Sequence, residues 1–170
     1  RGPAYYTRGD YDHARQSLDT VLLVDSGYAD ALIYRARLHL AEGNKDLALQ
    51  DLQAAQQSND SPEVPMRLVA IYDSMEDFQG ANGVLQQILA KHPDDINALQ
   101  RSIQLCKKYK KWAQLLRVID KAHKAYPQDE QFIIDKADAL QMLQRYPDAV
   151  QILQAARQVL PQSTGISMKL

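Results

Sequence analysis

Apolar residues recur along the chain at the spacing of one face of a helix. In the clearest stretch, Tyr146 is followed by Ala149, Leu153 and Ala156, and Pro161 then closes the segment. Steps of three and four residues place these side chains on a single helical stripe. Such a stripe must be covered by a neighbouring element, so the pattern predicts helices that pack against one another.

The same order of apolar positions appears twice upstream, as Trp112, Leu115, Ile119, Ala122, Pro127 and as Phe78, Ala81, Leu85, Ile88, Pro93. The copies are about 34 residues apart, which is the period of a two-helix repeat. Alignment at a common phase divides the chain into copies at 1–28, 29–61, 62–95, 96–129 and 130–163, with 164–170 opening a sixth. The small alanine that recurs in the second helix lets the paired helix approach closely.

A short turn recurs between the two helices of each copy: Gly9-Asp10-Tyr11, Gly43-Asn44-Lys45, Glu76-Asp77-Phe78, Lys110-Lys111-Trp112 and Gln144-Arg145-Tyr146. Gly9 and Gly43 fit the left-handed residue that often ends a helix. Asp10, Asn44 and Asp77 are predicted to accept hydrogen bonds from the amides that open the second helix. The predicted helices lie near 3–8, 11–25, 30–42, 45–59, 63–75, 78–92, 96–109, 112–126, 130–143 and 147–160.

These copies resemble the tetratricopeptide repeat (TPR) family over essentially the whole chain. The resemblance implies an all-α fold, a right-handed superhelical solenoid of about five antiparallel helix-turn-helix repeats in a single array. It also implies a non-catalytic scaffold that binds a peptide or protein partner on a concave face. By family association, the chain is expected to be part of a longer repeat array in a multi-component assembly, such as bacterial secretion or exopolysaccharide export.

Composition narrows the classes of partner. The 170 residues are 45% apolar and carry a formal net charge of −1, which argues against disorder and against bulk attraction to polyanions. No run approaches the roughly 18 apolar residues of a membrane helix. Cys106 is the only cysteine, so an internal disulfide is excluded. The cytoplasm and the bacterial periplasm both remain open as locations.

The resemblance assigns the partner-binding surface to the first helix of each copy. The residues it places there are Tyr34, Arg37, Met66, Arg67, Ala70, Arg101, Gln104, Lys108 and Asp138. Arg37, Arg67 and Arg101 would form a basic ladder beside Ile33, Tyr34 and Met66, suited to a carboxylate next to an apolar anchor. Ile33 and Met66 stand where the family's carboxylate clamp has lysine, so a clamp is not expected. The alternative is that the arginines are solvated or pair with Asp30, Glu63 and their neighbours.

Residues 107–112, Lys-Lys-Tyr-Lys-Lys-Trp, form the densest run of charge. Lysines on phosphates with aromatic stacking platforms are typical of nucleic-acid binding. The competing interpretation is structural, because Trp112 stands where Tyr11, Phe78 and Tyr146 stand and the lysines follow a helix whose dipole favours cations. Nucleic-acid or other polyanion binding is therefore the second hypothesis.

The remaining candidates for chemistry have structural interpretations. Asp135 and Asp138 are spaced to share a helical face, and we expect an exposed acidic patch there. His39 and Cys106 fall at packing positions, where a core histidine and an inert buried thiol are expected. The chain has no phosphate-binding loop, HExxH, CxxC pair or nucleophile elbow. The sequence thus predicts no enzymatic activity, no metal and no cofactor.

Overall fold

Helices are the only regular secondary structure in the residues that the computed structural model describes, 8–57 and 63–159. Nine helices lie in these two ranges: α1 Arg8–Val24, α2 Ala29–Ala41, α3 Lys45–Gln57, α4 Glu63–Ser74, α5 Phe78–Lys91, α6 Ile96–Lys108, α7 Trp112–Ala125, α8 Glu130–Met142 and α9 Tyr146–Val159. The ends of α2 to α9 agree with the predicted helices to within about two residues, which is the uncertainty expected at helix ends.

The first predicted turn is wrong. Gly9 and Asp10 lie inside α1, which begins at Arg8, and Gly43 is the only described glycine with a positive φ. Glycine tolerates helical backbone at a cost of about 1 kcal/mol relative to alanine, so helix formation overrides the turn signal here. Asp10 lies in the first turn of α1, where the helix dipole favours its carboxylate, instead of preceding the helix as a cap. Three predicted features lie outside the described residues. They are the helix at 3–8 (apart from residue 8), the proline at position 161 and the sixth copy at 164–170.

The turns inside the later hairpins share one geometry. Gly43, Glu76, Lys110 and Gln144 all have φ between 57° and 80°. The amide after each of them donates to a carbonyl five residues back, as from Asn44 N to His39 O at 2.7 Å and from Lys111 N to Cys106 O at 2.8 Å. This is the Schellman arrangement, which satisfies carbonyls that the helix end leaves without partners. Each hairpin therefore closes at a fixed left-handed residue, and only one of the four is glycine.

Aspartates cap the helices that follow. The prediction for Asp77 is confirmed, since its Oδ1 accepts from the amide of Gly80 at 2.9 Å. The sequence interpretation missed two further caps. Asp95 accepts from Ala98 N at 3.1 Å and Asp129 from Gln131 N at 3.0 Å, at the starts of α6 and α8. Side-chain oxygens of this kind satisfy the free amides at a helix N-terminus.

The chain divides into two compact units, residues 1–84 (unit 1) and 85–170 (unit 2). In unit 1 the recurring alanines Ala48, Ala55 and Ala81 have no exposed surface. In unit 2 a cluster of buried side chains joins α8 and α9, formed by Ile133, Ala137, Leu140, Ala149, Leu153 and Ala156. The small-and-large pattern that defined the copies is therefore the core of each unit, as the spacing predicts.

One close helix approach in unit 1 depends on a glycine. A β-carbon built at Gly80 on α5 would lie 2.3 Å from Cδ1 of Tyr72, whose ring is buried on α4. Carbon atoms do not approach so closely, so Gly80 leaves the space that the tyrosine ring occupies. Gly83, on the same helix, has no neighbour within 4 Å of such a β-carbon.

Candidate binding surfaces

The most developed polar surface in unit 1 is centred on Tyr34 of α2. Its side chain is 51% exposed. The guanidinium carbon of Arg37, one helical turn further along α2, lies 5.9 Å from the centre of the tyrosine ring. Arg67 of α4 lies 5.8 Å from the same centre. Both distances are within the range of a cation–π interaction, so two first helices together present one aromatic ring and two cations.

Arg67 also pairs with Asp30. One of its guanidinium nitrogens donates to Asp30 Oδ1, and the alternative of pairing with that carboxylate is thereby confirmed for this arginine. Arg37 is exposed on α2. We call Asp30, Tyr34, Arg37 and Arg67 the Tyr34 cluster. Its carboxylate balances one of its two positive charges.

The other predicted binding residues of unit 1 lie on α4. Met66, which precedes Arg67, is half-buried, and Ala70, one helical turn after Arg67, is exposed. Both residues therefore have accessible surface. Ile33, which the sequence placed among the exposed residues, has no accessible surface. That expectation is wrong because neighbouring helical residues point about 100° apart, and the helix turns Ile33 into the core while Tyr34 faces out.

In unit 2 the predicted residues are also accessible. Arg101 donates to Gln104 Oε1 at 3.3 Å, both on α6. The ammonium of Lys108 lies 5.4 Å from the centre of the Tyr109 ring, and Asp138 is half-buried on α8. Arg101 belongs to unit 2 and the other two arginines to unit 1, so the three-membered ladder stays a prediction.

The prediction that Asp135 belongs to an exposed acidic patch on α8 is wrong. Its side chain is buried, with a residue exposure of 4%, and it accepts from Lys107 of α6 and from Gln131 Nε2 at 3.2 Å. Burial of a carboxylate requires such partners because an uncompensated charge is costly in the interior. Lys107 reaches across from the neighbouring helix to supply the charge, so it is part of the packing between α6 and α8.

The rest of the lysine run surrounds the turn between α6 and α7. Lys110 is the left-handed residue of that turn, and Lys111 immediately precedes the first residue of α7. Lys108, Lys110 and Lys111 are exposed, whereas Trp112 is half-buried at the start of α7. The structural interpretation of the tryptophan is supported, and three of the four lysines present charge to solvent.

A charged network in unit 1 escaped the sequence interpretation. Arg35 of α2 forms two hydrogen bonds with Asp51 of α3, from Nε at 2.9 Å and from Nη2 at 2.7 Å. Its Nη1 donates to Asp19 of α1 at 2.9 Å. Arg35 therefore links three helices, through the buried Asp51 on α3 and the partly exposed Asp19 on α1. The available signal was the arginine itself, which stands at the repeat position that the buried Leu68 takes in the next copy.

The imidazole of His39 lies beside this network. Its Nε2 is 3.6 Å from Asp51 Oδ2, and its buried Nδ1 has no hydrogen-bond partner among the described residues. Burial lowers the pKa of His39 below its ordinary value, aided by the positive charges of Arg35 and Arg15, and these effects outweigh the attraction of Asp51 and Asp19. His39 is thus held neutral, in agreement with its predicted packing role.

Cys106 is buried, as predicted. Burial raises the pKa of its thiol to about 11, against smaller opposing effects from Ser102 and Arg117. A thiol with so high a pKa is protonated at neutral pH and is a poor nucleophile.

The described parts of the chain hold no group of three or more histidine, cysteine, aspartate or glutamate side chains placed to bind a metal ion. None of their helices combines the length and apolarity needed to cross a bilayer.

The amino-acid sequence matches models of a known repeat family. Two models described as tetratricopeptide repeat match the chain, one over residues 1–62 and the other over residues 39–106. Together they cover the first 106 of the 170 residues. The chain belongs to the tetratricopeptide repeat family.

Several solved structures share the fold of this chain. A crystal structure of MamA is 17% identical, with a TM-score of 0.57, and the match covers 89% of each chain. YrrB, described as a TPR protein with an unusual peptide-binding site, is 14% identical with a TM-score of 0.58, covering 95% of this chain and 85% of its own. The pilF protein of Pseudomonas aeruginosa is 20% identical with a TM-score of 0.50, over 89% of this chain and 69% of its own. No curated protein sequence matches significantly.

At these identities the likeness establishes the fold alone. The predicted fold class, an all-helical TPR repeat, is confirmed by the family models and by these structures together. TPR proteins generally act as scaffolds for protein interaction, and the chain is a member of that class.

Proposed function

We propose that this TPR chain is a non-catalytic scaffold that binds a peptide or protein segment through the Tyr34 cluster on its first helices. The observation that carries the proposal is the half-exposed Tyr34 ring with Arg37 and Arg67 each within 6 Å of its centre. Tyrosine and arginine are among the side chains that most often supply binding energy at protein interfaces.

The chemistry of the cluster favours an acidic segment. The exposed guanidinium of Arg37 suits a carboxylate, and the tyrosine ring beside it suits the apolar stem or ring of a neighbouring residue. Both groups stand on helices that are already formed, so little conformational entropy is lost when a partner binds. The peptide-binding site of the structurally similar YrrB adds support for a peptide ligand in this fold.

The test begins with affinity capture on the full-length protein and identification of the proteins that co-elute. Binding of a purified partner is then measured for wild type and for the Tyr34→Ala, Arg37→Glu double variant. We expect the double variant to bind at least tenfold more weakly with unchanged helicity. Arg117→Glu, an exposed arginine on α7, is the matched control and should bind normally. Unchanged binding by the double variant would overturn the proposal.

Arg67 is a poorer choice for that test. Reversal of its charge would also leave Asp30 facing a like charge, so a loss of binding could follow from a local rearrangement of α2 and α4. The Arg37 side chain allows the surface to be changed without that disturbance.

Polyanion binding is the second candidate function, and the exposed Lys108, Lys110 and Lys111 favour it. Their conversion to glutamine should abolish retention on heparin, and the wild-type affinity should fall steeply with salt, if this function is correct. Lys107 is left unchanged because its replacement would leave the buried Asp135 carboxylate without its positively charged partner. Equal retention of the triple variant and wild type would reject polyanion binding through this run.

The extension of the array beyond these copies is also a proposal. Leu116 packs against the buried cluster of α8 and α9, whereas Val150, at the same position one repeat later, is 46% exposed. Tyr146, one turn earlier on α9, is likewise exposed. A further hairpin stacked on α9 would cover both. In the full-length protein, amide exchange along α9 should then be slower than in residues 1–170 alone, and equal rates would contradict the extension.

A further inference from the structure

Unit 2 contains a pocket of about 320 Å³ at the junction of α7, α8 and α9. Ile133 of α8 and Ile152, Ala155 and Ala156 of α9 form its apolar wall. Its volume is at the lower end of the range for small-molecule sites, and cavities about half as large hold a benzene ring. The pocket can therefore accept a group of the size of a leucine or phenylalanine side chain.

Comparison with unit 1 explains why this space is open. Lys136 stands at the repeat position of Arg35, and it pairs with Asp120 at 2.7 Å as Arg35 pairs with Asp19. The position of Asp51, however, is taken by Ile152. In unit 1 the paired guanidinium and carboxylate lie between α2 and α3. Among the described residues of unit 2, Lys136 forms an ion pair with Asp120 alone, and Ile152 lines the place that Asp51 takes in unit 1.

A second exchange brings a polar group to the same place. Leu22, a buried residue of α1, has His123 of α7 as its repeat counterpart, and His123 lines the pocket. The Nδ1 atom of His123 is buried and has no hydrogen-bond partner in the part of the chain that the structure describes. A buried ring nitrogen without a partner is unfavourable in an apolar interior, and the residue that carries it is one of the polar residues that line the pocket.

The polar lining of the pocket is basic. Lys136 and His123 are its polar side chains, and the described residues that line it include no carboxylate. The ammonium of Lys136 has three donors and uses one of them on Asp120. An apolar wall with nitrogen donors is complementary to a molecule that has an apolar body and a single anionic acceptor.

We propose that this pocket binds a monocarboxylate with a branched aliphatic or aromatic tail, the tail against Ile133 and Ile152 and the carboxylate against Lys136 and His123. A free carboxylic acid and the C-terminal residue of a peptide share this chemistry, and the volume of about 320 Å³ favours the smaller free acid. The site is in unit 2 and uses none of the Tyr34 cluster, so it is independent of the function proposed above.

The test is an NMR titration of the isotope-labelled chain, residues 1–170, with 4-methylpentanoate. We expect saturable shifts confined to amides around His123, Ile133 and Ala155. Acetate has the carboxylate without the tail and 4-methylpentan-1-ol has the tail without the charge, so each should bind at least tenfold more weakly. N-acetylleucine serves as the peptide-terminus arm. If it binds more tightly than 4-methylpentanoate, the carboxylate comes from a chain end, and the reverse assigns the site to a free acid.

Two variants test the location. Ala155→Leu fills the exposed side of the pocket, and Lys136→Met removes the cation while keeping the apolar stem. Each should weaken 4-methylpentanoate binding at least tenfold without changing helicity. Ala113→Leu, an exposed alanine on α7 away from the pocket lining, should bind normally. The absence of saturable shifts, equal binding of acetate or the alcohol, or unchanged binding by both pocket variants would overturn the proposal.

Discussion

Gly43, Glu76, Lys110 and Gln144 occupy the same place in successive hairpins, and all four have left-handed backbone. Only Gly43 could be predicted from residue type, because glycine adopts this conformation without steric cost. The other three are revealed by the repeat alignment, which places them in register with Gly43. Glutamate, lysine and glutamine have no individual preference for this conformation, so the residues alone gave no signal.

This position leads to a prediction about stability. Replacement of Gln144 by glycine removes the steric cost of the left-handed conformation and should stabilise the protein by about 1 kcal/mol, after the larger entropy of the unfolded chain is allowed for. Gly43→Ala should destabilise by a similar amount, since its β-carbon would meet no neighbour and only the backbone conformation opposes it. Urea unfolding of both variants provides the measurement. A destabilising Gln144→Gly substitution would contradict this explanation.

The two glycines of α5 give a second prediction at this scale. Gly80→Ala should destabilise by about 1–3 kcal/mol, because its methyl group overlaps the buried ring of Tyr72. Gly83→Ala should be neutral or stabilising by up to about 1 kcal/mol, because the helix gains alanine without a clash. Thermal unfolding monitored by circular dichroism separates the two. Similar shifts in the same direction would show that helix propensity, and not the contact with Tyr72, decides the outcome.

At the scale of helices, the sequence predicted most of the architecture. The spacing of apolar residues and the short polar turns located α2 to α9, because these helices must bury a continuous stripe. The failures have a common cause. The predictions for Gly9 and Asp135 rest on residue type and local spacing, whereas a continuing helix in one case and Lys107 from another helix in the other determine their surroundings. Partners distant in sequence are not visible in local spacing.

The packing of α1, α2 and α3 should depend on pH through His39. Its folded-state pKa lies below the ordinary value near 6.5, so the unfolded chain binds a proton that the folded chain excludes. The resulting contribution to stability is fully present above about pH 6.5 and decreases as pH falls from there towards the lowered folded-state pKa. Arg15, Asp19, Arg35 and Asp51 are the charged groups that influence the imidazole.

His39→Leu isolates this contribution, since Leu140 shows that the same repeat position accepts leucine. The free energy of unfolding of wild type should fall relative to the variant as pH is lowered below about 6.5, and the difference should be constant above it. Denaturant titrations at a series of pH values measure this. Parallel curves for the two proteins across that range would show that His39 does not couple to folding.

At the scale of the whole molecule, the family resemblance predicted the class of function but not its details. All nine residues assigned to the partner-binding surface have accessible side chains. The pairing of Arg67 with Asp30, and the approach of both arginines to one tyrosine ring, depend on how α2 and α4 pack. A repeat alignment gives the position on the helix, whereas the chemistry of the surface follows from contacts between repeats.

The central claim is that partners are recognised by the first helices around Tyr34. The most direct measurement is photo-cross-linking with benzoylphenylalanine placed at position 70 on α4, one turn from Arg67, or, for comparison, at position 113 on α7. Both positions are exposed alanines, so neither replacement disturbs a core or removes a group of the Tyr34 cluster. With the captured partner, position 70 should give a strong cross-link that Tyr34→Ala removes, and position 113 should give little. Cross-linking at position 113 alone, or cross-linking at position 70 that is insensitive to Tyr34→Ala, would contradict the account.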